Sequence, residues 1–182
     1  MLSSRIKTLL YGSNLWYLGE GMLGPLFAIF AERVGGSILE ISWAWAIYLL
    51  MTGTLVILIG RVSDGRIRKE SLMVMGYALN ALFTFGYLLV SSPLHLFLVQ
   101  AGLGVAAALA IPTWTALYSL SADRKREGYE WGLVSGQAYI MTALAILIGG
   151  FLISTWGFPV LFVTMGLIQT VAAIYQSRIF WR

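Results

Sequence analysis

The 182-residue chain has no cysteine and a single histidine, His95. The first absence excludes disulfides, thiolate metal sites and cysteine nucleophiles. The second leaves no His-rich metal set, and no paired-acid motif stands in for one. Charge is also scarce. Only 11% of residues are Asp, Glu, Lys or Arg, against 59% hydrophobic, and the mean hydropathy is +0.81. A soluble domain of this length needs more polar surface than that. The composition implies lipid, rather than water, against much of the surface.

What is present are long apolar runs. A spanning helix needs about 20 mostly apolar residues. Six stretches qualify, roughly 9–31, 38–60, 71–91, 94–118, 131–154 and 158–180, and they leave almost nothing for a soluble domain. The expectation is one all-α membrane domain over residues 1–182. The runs are too long, and lack the alternation, for a transmembrane barrel. The first is too long for a signal peptide and has no small-residue cleavage site. An intramembrane serine protease would need a serine in a glycine-flanked turn with a histidine beside it. Ser135 precedes Gly136, but Leu133 and Val134 stand before it, and His95 falls at the opposite end of its span. No enzyme is expected.

Charge placement sets the topology. Arg5, Lys7, Arg61, Arg66, Arg68, Lys69, Arg124, Lys125, Arg126, Arg178 and Arg182 all fall on one side of a six-span chain, leaving Arg33 alone on the other. Positive residues stay cytoplasmic, so both termini are expected inside a cell membrane. The net charge of +4 is then a topology signal with possible anionic-lipid contact, not a nucleic-acid footprint. Trp43, Trp45, Trp114, Tyr118, Tyr129, Trp131, Trp156 and Trp181 fall near span ends, where interfacial anchors belong.

An internal repeat is visible. Spans one to three and four to six make two sets, and an odd number per set forces inversion. Pro25 and Pro112 interrupt the first span of each set at nearly the same depth, and Asn80 and Gln169 place one amide in each third span. Proline-broken spans at matching positions of inverted repeats point towards a transporter's binding region.

The stretch "GRVSDGRIRK" resembles the loop between helices two and three of major facilitator superfamily transporters. Gly60, Asp64, Arg68 and Lys69 match that pattern, while Gly65 and Ile67 depart from it. "QAGLGVAAALAIPTW", with Gly102 and Gly104, is similar to the family's fourth helix, and "IGGFLISTWGFPVLF" resembles the end of helix five and the start of helix six. Leu98 replaces an arginine of proton-driven members, and Ala145 and Ile146 replace the Gly-Pro of the antiporter signature, so a drug–proton antiporter is not implied.

The resemblance implies a 3+3 inverted repeat forming one six-helix half, where family members have two. It also implies alternating access and a cytoplasmic gate at Gly60, Asp64, Arg68 and Lys69. A homodimer would supply the second half by a true two-fold axis. Pairing with a different half, membership of a longer chain, and a non-transporting structural or regulatory subunit stay open. Gly132 and Gly136 would let another helix approach span five, or serve packing within the half.

One acid lies within the first span. Glu20 sits near mid-depth, where a charge costs about 2.5–3.5 kcal/mol on insertion scales. Such a residue is expected to meet a cationic group on a small-molecule substrate or to carry a coupling proton; the structural alternative is a protonated acid donating to a carbonyl freed by Pro25 or to an amide on a neighbouring helix. No other cofactor or metal is expected. Trp16, Tyr17 and Gly24 are its helical neighbours, and a face of this kind suits an amphiphilic cation or aromatic ligand. Gln100 and Gln137 are the remaining candidates for the cavity wall. Asn80 and Gln169 read as interhelical hydrogen bonds.

Overall fold

The computed structural model describes residues 3–65 and 67–181. Arg66 and Arg182, counted above in the topology, lie outside the described residues, as does the Arg124 side chain. The elements are α1 (Ser4–Gly21), α2 (Phe27–Arg33), α3 (Ile38–Ser63), α4 (Lys69–Gly86), α5 (Pro93–Ser121), α6 (Glu127–Trp156) and α7 (Phe158–Ser177), with no strand among the described residues. Five segments are long and apolar enough to cross a membrane: Ile38–Ser63, Lys69–Leu89, Pro93–Ser121, Glu127–Trp156 and Phe158–Trp181.

The first span is not one α-helix. α1 stops at Gly21, a 3-10 turn covers Gly24–Leu26, and α2 follows. The cause is Pro25, which has no N–H to return to the Gly21 carbonyl. Leu26 N donates instead to Leu23 O at 2.8 Å, the tighter register of a 3-10 turn. α6 passes directly against this break, because a Cβ on Gly149 would run into the Met22 carbonyl.

Pro112 behaves differently, and the expected break in the fourth span is corrected here. α5 runs without interruption from Pro93 to Ser121. The Thr113 hydroxyl donates to Leu109 O at 2.5 Å and lies 3.1 Å from Ala110 O. Hydroxyl bonds of this kind, and the packing of neighbouring helices, let a membrane helix tolerate proline.

Short caps turn the chain round. Ser37 and Glu40 form a reciprocal capping box at the start of α3. The Ser92 hydroxyl accepts from His95 N at 3.4 Å. Gly157, at φ +81°, joins α6 to α7 in a conformation that a side chain would resist.

Two buried clusters mark the ends of the bundle. One gathers Ile6, Met73, Leu117, Tyr118 and Ile179. The other gathers Phe30, Ala44, Tyr87, Leu96 and Phe158. Successive spans therefore alternate in direction, and both termini lie at the first end. That end is tied by Arg5 Nη2 to Glu70 Oε1 at 2.6 Å.

The helices pack as an open arc. α3 lies on α5, α5 on α4, α4 on α7, α7 on α1, and α1 on α6. Small residues set the tight crossings. A Cβ on Gly76 of α4 would sit 2.7 Å from Ala106 O and Ala110 N of α5, so the two backbones touch there. The ends of the arc are bare. Only 6% of the apolar window of α3 and 11% of that of α6 is buried, against 61% for α5.

The aromatic expectation divides. Trp43, Trp45, Tyr129, Trp156 and Trp181 are exposed, as anchors should be. Trp114 and Trp131 are half-buried, and Tyr118 is not an exposed anchor. Tyr118 is fully buried, stacked on Trp114 at 5.1 Å and meeting Trp131 at 5.2 Å. The reason is that Tyr118 finds an internal acceptor: its hydroxyl donates to Glu130 O at 3.1 Å.

Candidate functional site

Glu20 occupies the last turn of α1, immediately before the break. The C-terminal end of a helix carries partial negative charge, and carbonyls there lack helical partners. Carboxylate and helix end thus bring negative potential to one point. The side chain opens into a cavity of about 80 Å³, room for a few waters, whose wall includes Gly24, Tyr48, Tyr87 and Gln100.

The polar groups around it are incompletely paired. Asn80 of α4, 1% exposed, faces the Glu20 carboxylate and is its side-chain hydrogen-bonding neighbour, although its Nδ2 does not reach well-formed hydrogen-bond geometry. The Tyr87 hydroxyl donates to Gln100 Oε1 at a long 3.4 Å, and Gln100 Nε2 is buried without a partner. Buried polar atoms are rarely left this way, and an unfilled site for water or ligand is one of the recognised reasons.

The face read from the first span divides between two cavities. Glu20, Gly24 and Gln100 share the first. Trp16 and Tyr17 line a second, of about 240 Å³, together with Tyr77, Trp114, Trp131 and Ser135. Gln137 of α6 lines neither of them, although its Oε1 is buried and unpaired. Glu20 and Trp16 are one helical turn apart, yet α4 and α7 side chains separate their surroundings. Trp16 packs edge-on against Tyr77 at 4.7 Å, and its carbonyl accepts from Gln169 Nε2 at 3.1 Å. Gln169 is thus an interhelical hydrogen bond, as read. Asn80 also reaches across helices, from α4 to Glu20 of α1, a partner that sequence spacing does not indicate.

The loop after α3 makes contacts within itself and one to the C-terminal turn. Lys69 Nζ donates to Ser63 O at 2.6 Å and to Asp64 Oδ1 at 3.1 Å. Arg68 lies over the Phe180 ring at 5.7 Å. Gly60 has open space where a Cβ would stand, as do Gly132 and Gly136. The Arg5–Glu70 pair at the same end was not anticipated. Arg5 and Lys7 read only as topology charges, and nothing in their spacing points across 65 residues.

This architecture defines a helical membrane protein with an acid-bearing, broken first segment. The sequence matches the Major Facilitator Superfamily over residues 9–182, and the chain belongs to that family. That places it with transport proteins rather than enzymes. It is 27% identical to an uncharacterized MFS-type transporter, MJ1560, of Methanocaldococcus jannaschii, over 157 residues that make up 86% of this chain and 40% of the relative. It is 29% identical to the multidrug resistance protein MdtG of Dickeya zeae, over 147 residues, 77% of this chain and 35% of the relative. The chain spans well under half the length of these curated relatives.

Proposed function

We propose that the chain is one six-span half of a transporter that moves a small solute across the cell membrane by alternating access, with Glu20 as its charged site. The carrying observation is Glu20 itself. It stands on the last turn of an interrupted helix, beside a cavity, with Asn80 as its hydrogen-bonding neighbour. The cavity leaves room at the acid for a substrate cation or a coupling proton.

In this reading α1 and α2 together make the sixth span, and both termini are cytoplasmic, which the basic loops support. The packing supports a 3+3 inverted repeat. Exchanging the two sets of three turns the α1–α6 contact into the α5–α3 contact, and the α1–α7 contact into the α5–α4 contact, while α4–α7 maps onto itself. The bare faces of α3 and α6 support a second six-span unit across the arc. The small residues Gly132 and Gly136 are free to meet it. A second copy of this chain would complete the unit as a parallel homodimer. The length of the relatives also favours a distinct second half, on the same or another chain. Gly60, Asp64, Arg68 and Lys69 would then form the cytoplasmic gate, where contacts to the partner form in one state and break in the other. The multidrug name of one relative supports an amphiphilic substrate.

The test is flux. Solutes that raise the melting temperature in a metabolite and drug panel are loaded into proteoliposomes. Glu20→Gln is expected to reduce their movement to background, or to remove its pH dependence, while the protein stays folded. Unchanged flux and pH profile would remove Glu20 from the site.

A further inference from the structure

We propose that Gln169 of α7 is a positioning residue for Glu20, fixing the rotation of α1 so that the acid faces its cavity. This deepens the transport reading and rests on it for the use made of the acid, though not for its placement.

A helix that is apolar all round has no stripe to fix its rotation in lipid. Successive residues on α1 point about 100° apart, so a slip of one position would carry Glu20 out of its cavity. The residues on either side of the acid are glycines, and each is pinned. A Cβ on Gly19 would stand 2.5 Å from Gln169 Nε2 of α7. A Cβ on Gly21 would stand 2.8 Å from the Ala145 Cβ of α6. With Gly19 turned to α7 and Gly21 to α6, the side chain between them borders the cavity it shares with Gly24 and Gln100.

Shape alone would not need an amide here. Gln169 is fully buried, and its Oε1 makes no hydrogen bond. Burying such a group unpaired costs stability, and an apolar side chain of the same size would avoid that cost. What the amide adds is a donor. Gln169 Nε2 donates to Trp16 O at 3.1 Å. In an α-helix that carbonyl also accepts from the N–H four residues on, which is that of Glu20. The bond from α7 therefore lands on the turn that carries the acid. It holds that turn along the helix axis as well as around it.

A second level of the same seam supplies the comparison. Gly12 lies seven residues before Gly19 on α1, and Gln176 seven residues after Gln169 on α7. A Cβ on Gly12 would fall on Gln176 Oε1, and Gln176 is also fully buried. Its Nε2 reaches Met73 Sδ of α4 at 3.3 Å, a weak acceptor, instead of the α1 backbone. A glutamine covers a glycine at both levels, but only Gln169 bonds to the Glu20 turn.

The test reads Glu20 itself, in the purified full chain in detergent. Infrared difference spectra against Glu20→Gln isolate its band, a carbonyl stretch when protonated and a carboxylate stretch when ionised. Gln169→Met keeps the volume and removes the donor. It should move or broaden that band and lower proteoliposome flux about tenfold or more, as misplacing a reacting group does. Gln176→Met should leave the band in place and the flux within about twofold of wild type. Where Gln169→Met fails to fold, as judged by circular dichroism, Gly19→Ala displaces the same amide and takes its place in the comparison. An unchanged band or unchanged flux in the folded variant, or an equal change in Gln176→Met, would overturn the assignment. So would failure of both Gln169→Met and Gly19→Ala to fold while Gln176→Met folds, since the seam would then be structural. A moved band in a chain that carries no solute would remove the transport reading alone. Wild-type flux with a band that Gln169→Met leaves unaltered would remove this assignment alone.

Discussion

Replacing Glu20 by methionine separates two accounts of a membrane carboxylate. Methionine has similar length and no polar atom. If Glu20 were a structural tie to Asn80, its loss would remove a hydrogen bond to a charged group, worth about 1.5–3 kcal/mol, and strand the amide. If it is held for a ligand, its removal relieves an insertion cost of about 2.5–3.5 kcal/mol. The geometry favours the second account, because the acid borders a cavity and its contact with Asn80 Nδ2 falls short of a well-formed hydrogen bond. Little is left for the mutation to break. For a chain of this size about 1 kcal/mol moves the midpoint by roughly 2–4 °C. Glu20→Met should therefore melt several degrees higher than wild type in detergent, followed by circular dichroism, while proteoliposome flux falls to background. A fall in melting temperature of similar size, with flux preserved, would refute the reasoning. In that case the acid would be part of the scaffold.

Other outcomes follow from the packing. Gly76→Leu forces a side chain between the touching backbones of α4 and α5 and should destabilise by at least about 1–3 kcal/mol, read as a lower melting temperature. Gly132→Leu, with open space around it, should leave the melting temperature of the isolated chain within about 0.5 kcal/mol of wild type. The absence of cysteine lets single cysteines be placed cleanly along α6. Parallel homodimers should cross-link through them in native membrane, and a complete lack of cross-linked product would count against self-association. Arg5→Ala should lower stability by about 1 kcal/mol or less, since the pair with Glu70 is partly exposed, and high salt should shrink the difference.

How much of this was legible along the chain depended on which property was asked for. Length and apolarity alone picked out the five helical segments long and apolar enough to cross a membrane, while the first apolar stretch is broken at Pro25. Pro112 shows the limit of the same rule. The residue type is equal, yet α5 continues through it, packed closely between α3 and α4. Gly60, Asp64, Arg68 and Lys69 were read as a gate by motif, and in the structure Lys69 and Asp64 hold each other within the loop. Asn80 was read as a helix–helix tie without its partner Glu20, and Tyr118 as a surface anchor. Each was assigned by depth in its span, which says nothing of direction.

The sequence by itself determined the apolar character of the surface, the long apolar segments, the gathering of basic residues in a few loops, and the presence of one acid within the first apolar stretch. These are properties of each segment taken alone. The tertiary structure decided which side chains meet: Asn80 with Glu20, Tyr118 between Trp114 and Trp131, and Trp16 in a different cavity from the acid one turn away. In water an amphipathic stripe announces the buried face of a helix. In lipid both faces are apolar, so the pattern that would have told inside from outside is absent, and only the packed neighbours supply it.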